Sequence, residues 1–384
     1  MKITGARYYR YVLPLVRPLP LRGQMVTARE GLIVKIETDS GAEGYGEIAP
    51  LAGFSAESIA DARQRAVSCV HALCQRSDIF ATLPAGLRHR EAFPPSVRFG
   101  IECALLDLAA NVSGRAPAAI LSESPAKHVP VNALLSGDTD TIVAAAADAV
   151  RRGYTAVKVK VGARPVDEDI EMIRAVRAAV HASTAIRLDA NRAWSIGDAT
   201  TFVRAVAGCC IAYIEEPINA PEQLAEFAAG SPVPVAVDET LQDAGWPRVF
   251  EWRKAGYLEA FSDEPEDAAP LLRAIRAAHT WVVKPTLVGF PLAYMARLLA
   301  LHERIDADLV LSSSFESGVG HAALVNLAAS AGEHCRPAGL NTASWFASNL
   351  VETPAVSLGT INVEDANAHR SLFNVDSLEE LPND

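Results

Sequence analysis

The chain lacks any apolar run that approaches membrane-spanning length, because charged residues interrupt each one early. Its start, MKITGARYYRYVLP, lacks the pattern of a secretory signal. A basic excess is missing as well. Thirty-five lysines and arginines face 46 acidic residues, a formal charge of −11, so no cationic face for nucleic acid or an anionic membrane is implied. Cysteines in metal-binding or redox spacing are absent: Cys69, Cys74, Cys103, Cys209, Cys210 and Cys335 are scattered. That scatter argues against zinc and disulfides and for a reducing compartment. No feature specifies an assembly state. What remains is a soluble, cytoplasmic protein with a small-molecule partner.

At 384 residues, half of them hydrophobic and 21% charged, the chain suits one large and one smaller domain. Residues 1 to about 60 read as strands and turns, with GLIVKIETDSGAEGYGEIAP forming a hairpin around Asp39-Ser40-Gly41. The stretch before it, LPLVRPLPLRGQMVT, is too proline-rich and irregular for regular structure. The stretch after it, PLAGFSAES, ends in a helix start with Ser55 as N-cap. Both loops carry apolar residues (Leu19, Leu21, Met25, Leu51, Phe54), and they read either as a satellite core or as a lid. Helical spacing dominates from residue 56 to about 122.

From Val129 strands and helices alternate. The strand candidates are VPVNALLSG, AVKVKVG, AIRLDANRAW, CIAYIEEPI, VPVAVDETL, WVVKPTLVG, LVLSSSFESG and, weakly, PAGLNTASW. About eight such strands predict an α/β fold, a closed (β/α) barrel, in preference to an open doubly wound sheet. An open sheet would carry a glycine-rich nucleotide loop after its first strand, and none is present. The expected division is an α+β capping domain over residues 1–128 and a barrel over 129–345, with residues 346–384 packing back on the cap. The stretch between Asp238 and Lys284 exceeds what one crossover helix needs, and YLEAF within it leaves the strand count open.

AVKVKVG sets Val157, Val159 and Val161 on one face of a strand and Lys158 and Lys160 on the other. It is either a wet edge strand or a buried one whose lysines meet anions. The following strand ends decide between them. IRLDAN, YIEEP and VAVDE close on Asp189, Glu215 and Asp238, and catalytic groups of a barrel lie at the carboxyl ends of its strands. Three carboxylates at one mouth repel one another unless a hard cation lies among them, and oxygen ligands suit Mg²⁺, with Mn²⁺ as substitute, better than zinc. Lys160 and Lys284 would then face each other across the metal. Lys158 and Lys160, roughly 7 Å apart along the backbone, repel by about 2.4 kcal/mol at an effective dielectric near 20. That repulsion would bring a lysine from about 10.4 toward about 7–8, the range of a general base at neutral pH. Metal and poised lysine together suit abstraction of a proton beside a carboxylate, the metal holding the carboxylate and stabilising the enolate.

These residues resemble the enolase superfamily, on its muconate-lactonising side: the KxK pair, the DAN, EEP and DE strand ends and the lysine of VVKPTLVG stand in that family's order. LDANRAW, IEEP, VKPTLVG, LSSSFESGVG and GEIAPLAGFS are most similar to the o-succinylbenzoate synthase family. The resemblance implies a modified TIM barrel with a capping domain, and Mg²⁺ on Asp189, Glu215 and Asp238. It implies Lys160 as the base that then assists departure of hydroxide, and Lys284 as the cation beside the enediolate. Lys158, Arg187, Asn191, Ser312 and Gly339 would contact substrate, and Met25 and Phe54 would lie on lid loops. The implied reaction is dehydration of 2-succinyl-6-hydroxy-2,4-cyclohexadiene-1-carboxylate to o-succinylbenzoate in menaquinone synthesis. An N-succinylamino acid racemase or dipeptide epimerase could use the same residues, and a silent metal-binding scaffold is the remaining alternative. Plainer roles suit some positions: Arg187 as a salt-bridging strand residue, Glu216 and Glu239 as supporting or capping carboxylates, and His181, His279 and His321 as structural.

Overall fold

The structure, a computed structural model, describes residues 1–21, 24–74, 93–244, 269–289, 292 and 307–382. The near-continuous apolar character of GLIVKI suits a sheet covered on both faces. β1 (Ile3–Leu21), β2 (Gln24–Thr38) and β3 (Glu43–Ile48) form that antiparallel sheet, and the strand Glu379–Leu381 joins it at the outer edge of β1. The predicted hairpin connects β2 to β3, with Gly41 at φ +79° closing the turn by donating to the Thr38 carbonyl. One face (Tyr8, Leu32, Val34, Ile36) packs on the helices Ile59–Cys74 and Pro95–Ser113. The alternate residues (Tyr9, Tyr11, Leu13, Ile33) pack on Val319, Phe346, Val351 and Val375. β3 presses so closely on Pro95–Ser113 that a Cβ built on Gly46 would stand 1.9 Å from the Gly100 carbonyl oxygen, so only glycine fits there.

Two local readings are corrected. LPLVRPLPLRGQMVT is regular where described: β1 and β2 remain paired out to Leu21 and Gln24, with a register shift between Pro14 and Leu19. Prolines are tolerated because the outer strand covers β1 only at Tyr8, Tyr9 and Arg10, and on the far arm the bridge from Leu15 to Phe346 uses the Pro14 carbonyl as acceptor from the Ala347 N–H, so it asks no donor of a proline. The helix N-cap is Ser58, which exchanges hydrogen bonds with Asp61 in a capping box, while Ser55 Oγ accepts from the Leu51 N–H at 3.0 Å.

The second half, entered through β4 (His128–Pro130), is a curled parallel sheet whose described strands lie side by side in chain order. Its strands are β5 (Ala133–Leu135), β6 (Ala156–Lys160), β7 (Ala185–Asp189), β8 (Ile211–Glu215), β9 (Val235–Val237), β10 (Thr280–Val283) and β11 (Asp308–Leu311). VPVNALLSG is thus two short strands, and β4 turns aside to pair with Thr360–Asn362. PAGLNTASW contributes the closing contacts. Gly339 bridges Ser312 beyond β11, and Ala338 bridges Val131 beyond β4. β9 and β10 pair directly, so no strand separates them, and Lys284 ends the sixth strand; YLEAF itself lies outside the described residues. Valines 157 and 159 of β6 face the helix layer and are fully buried, which leaves its lysines to the barrel interior. Lower in that interior Tyr213, Ala236, Val282 and Val310 fill the space. No described helix is long and apolar enough to cross a membrane.

Two buried charges tie the cap to the barrel. The Glu47 carboxylate accepts from the Tyr11 hydroxyl, from the N–H and hydroxyl of Ser317 and from the Gly320 N–H, and so caps the helix Gly318–Ala329. Arg29 donates to the carbonyls of Ala49, Pro50 and Phe315, each at 3.0 Å. Glu47→Ala strands several of these donors in the dry interface and should cost about 3 kcal/mol or more. A urea titration checks this, and an unchanged midpoint would show that Glu47 is not a keystone.

Candidate active site

Parallel register sets the first row of the site. Lys160 lies beside Asp189 and Asp189 beside Glu215, and one layer deeper Lys158 lies beside Arg187 and Arg187 beside Tyr213. Side chains two apart on a strand share a face, so both rows point into the barrel. Lys158 Nζ is 2.9 Å from Asp189 Oδ2 and 2.7 Å from Glu215 Oε2. Lys160 Nζ donates to the same Asp189 oxygen at 2.7 Å and to Asn191 Oδ1 at 2.5 Å. Asp238, just past β9, pairs with Lys284 and accepts from Gln242 at 3.3 Å. The two catalytic lysine candidates therefore hold opposite ends of the carboxylate row, with Lys160 half exposed at 49% and Lys284 nearly covered at 16%.

Electrostatics here differ from the expectation of a depressed lysine. Burial pushes the Lys158 ammonium down, but Asp189 and Glu215 outweigh it and hold the group well above its ordinary value. Lys284 is raised in the same way, burial being overcome by Asp238, Glu239 and Glu215. Attraction across less than 3 Å exceeds repulsion between lysines two residues apart. The carboxylates diverge. Burial works against Asp189, yet Lys158 and Lys160 hold it well below the usual range. Glu215 is pushed up to about 8 by burial and then by the Asp189 charge.

Behind this row the chain is bent into unusual backbone. Asn191, Arg192 and Glu216 have φ of 43°, 61° and 44°, a region that disfavours side chains and is held here by surrounding contacts. The bend turns Glu216 away from the mouth to accept from the N–H groups of Asp238 and Thr240, while Arg192 grips Glu216 and Asp243. Glu216 is thus a support for the Asp238 loop. Glu239 accepts from Asn191 Nδ2 at 3.0 Å through one oxygen, and burial with the Asp238 charge pushes it up to about 7.

Among the described residues no three His, Cys, Asp or Glu side chains are gathered into a ready metal cage, because the carboxylates are turned onto the lysines. The donor set still fits a hard cation. Asp189, Glu215 and Asp238 supply oxygens from consecutive strands, and the like charges that raise Glu215 call for positive charge between them. Among the described residues, Glu215 Oε1 and Glu239 Oε2 are buried with no hydrogen-bond partner.

Other predicted positions divide. Phe54 reaches the site, its ring 5.9 Å from Lys284 Nζ. Ser312 is half-buried against Gly339, where a Cβ would stand 2.6 Å from Ser312 Oγ. Ser313 and Ser314 instead bind Glu316, as does Thr286. Arg187 lies in the interior, donating to Asn132 and the Pro337 carbonyl and standing 5.4 Å over the Tyr213 ring, so its partners are amide and carbonyl oxygens in place of a carboxylate. Met25 stands 63% exposed on the β1–β2 arm. His321 Nε2 donates to the Leu340 carbonyl from within the first turn of Gly318–Ala329, whose cap is Ser317. The clamps Arg29, Glu47 and Glu316 carry no role in the sequence reading; their one signal is charge inside otherwise apolar or small-residue stretches.

Comparison with known proteins matches this geometry to a family. The family described as MenC, N-terminal domain, covers residues 3–108, and Enolase C-terminal domain-like covers residues 141–367. The o-succinylbenzoate synthase of Enterobacter sp. (strain 638) is 31% identical over 366 residues, 94% of this chain and 98% of that protein. Its counterpart from Pectobacterium atrosepticum is 32% identical over 323 residues, 83% of this chain and 84% of that protein. Among solved structures, muconate lactonizing enzyme from Pseudomonas fluorescens, complexed with muconolactone, superposes with a TM-score of 0.75 at 23% identity, covering 94% of each chain. A member of the enolase superfamily from Roseovarius nubinhibens, complexed with magnesium, gives 0.72 at 20% identity over 94% of this chain and 92% of that one. The structural likenesses carry the fold, the sequence matches run through both halves, and the chain belongs to the enolase superfamily, within its o-succinylbenzoate synthase family.

Proposed function

We propose that the protein dehydrates 2-succinyl-6-hydroxy-2,4-cyclohexadiene-1-carboxylate to o-succinylbenzoate, with Mg²⁺ or Mn²⁺ held by Asp189, Glu215 and Asp238. The observation that carries this reading is the pair of lysines at opposite ends of one carboxylate row, Lys160 on Asp189 and Lys284 on Asp238. A bound divalent cation supplies the positive charge that anchors the substrate carboxylate and offsets charge developing on it. The donors suit it, and the superfamily neighbour from Roseovarius nubinhibens is complexed with magnesium.

Lys160, the more exposed lysine, takes the proton beside the substrate carboxylate at Nζ. The same ammonium then returns it to the departing hydroxyl, so the C–H and C–O bonds break, water leaves and the ring becomes aromatic. Lys284, held cationic by Asp238, faces the developing negative charge from the other side. The substrate of this reaction is a dicarboxylate, and Lys158, Lys160, Lys284 and Arg187, with a divalent cation, supply the positive groups that a dianion needs.

Lys160→Ala should reduce turnover by about 10²–10⁴-fold while Mg²⁺ binding, read by calorimetry, persists; activity near that of the unmodified protein would refute the assigned base. Chelation should abolish dehydration, with Mg²⁺ or Mn²⁺ restoring it. Assaying the same preparation with N-succinylamino acids tests the rival chemistry, and strong racemisation without dehydration would overturn the proposed reaction.

A further inference from the structure

The far arm of β1 brings one arginine to the rim of the barrel above β5, the strand that flanks the Lys160 end of the lysine–carboxylate row. Arg17 stacks on Trp345, its guanidinium carbon 4.2 Å from the ring centroid, and its Nη2 stands 3.5 Å from Ser136 Oγ at the outlet of β5. Trp345 is fixed in turn by an edge-on contact with Phe315, ring centroids 5.6 Å apart, and the Phe315 carbonyl is clamped by Arg29. The other described arginines of β1 are matched by acids: Arg7 by Glu37 and Arg10 by Glu30. Among the described residues no ion pair engages Arg17, although it is exposed at the lip of a site built for anions.

Stacking uses the flat face of a guanidinium and leaves its edge N–H groups, in fixed fork geometry, to bind a carboxylate. The position fits that use. Ser136 follows β5, which pairs with β6 and so borders the Lys160 end of the row, while Trp345 follows the closing segment at Gly339 and Ser312 borders the same gap. A substrate with one carboxylate at that row would extend its other end toward Arg17. Resting on the dicarboxylate reading above, we propose that Arg17 is a specificity-determining residue that binds the remote, chain-end carboxylate of the substrate. It does not touch the reacting atoms and acts on binding.

The test compares two probes with the full chain in Mg²⁺ by calorimetry: o-succinylbenzoate, and 2-propionylbenzoate, which lacks the chain-end carboxylate. Arg17→Met should weaken o-succinylbenzoate about tenfold or more and leave 2-propionylbenzoate unchanged, with Arg17→Lys falling between. The Arg17 side chain is exposed, and a thermal melt of each variant excludes a folding defect. Unchanged affinity for o-succinylbenzoate in Arg17→Met, equal weakening of both probes, or an unmodified protein that binds both alike would each overturn the assignment. The readout is independent of turnover. A protein that discriminates the probes through Arg17 yet fails to dehydrate overturns only the proposed reaction.

Discussion

Asp189 and Glu215 are neighbours in a buried parallel pair of strands, where two like charges repel strongly and water cannot screen them. Lys158, 2.9 Å from one and 2.7 Å from the other, makes that pairing tenable. The remaining groups follow from it. Lys160 caps the free side of Asp189, Lys284 does the same for Asp238, and Asn191 spans Lys160 and Glu239. The barrel mouth is a lattice of alternating charge, in which each lysine is positioned by the acid it neutralises.

A lattice of this kind needs rigid walls, and those come from a layer of polar groups behind it. Glu216 fixes the loop of Asp238, and Glu316 gathers Thr286, Ser313 and Ser314 so that the exits of β10 and β11 hold together. Arg29 joins both mouth loops of the cap to the exit of β11. Glu216, Glu316 and Arg29 are buried and each bonded to several partners, so removing any one leaves those partners stranded.

Much of this was legible in the sequence for a physical reason. An apolar run ending in a carboxylate, repeated on three strands, signals a barrel mouth, and the alternation of AVKVKVG separates helix-facing valines from interior lysines. Contacts that depend on distant partners were not legible. Arg29 meets Phe315 across 286 positions and Glu47 meets Ser317 across 270, so neither shows a local pattern. The regular arm around Pro14 and Leu19 was hidden because proline suppresses every strand signal, although an edge position tolerates it. The direction of the Lys158 shift depends on which charge is nearest, a matter of fractions of an ångström that spacing along one strand does not encode.

The outer strand of the cap comes from the opposite end of the chain: Tyr8, Tyr9 and Arg10 pair with Leu381, Glu380 and Glu379. During synthesis this edge of the amino-terminal sheet therefore waits for its partner until residue 381 has emerged. Closing a loop of that span is slow and exposes apolar strands meanwhile. β1 and the strand Glu379–Leu381 thus act as a clasp, so that the sheet of the cap is completed only once the barrel strands between them have been made.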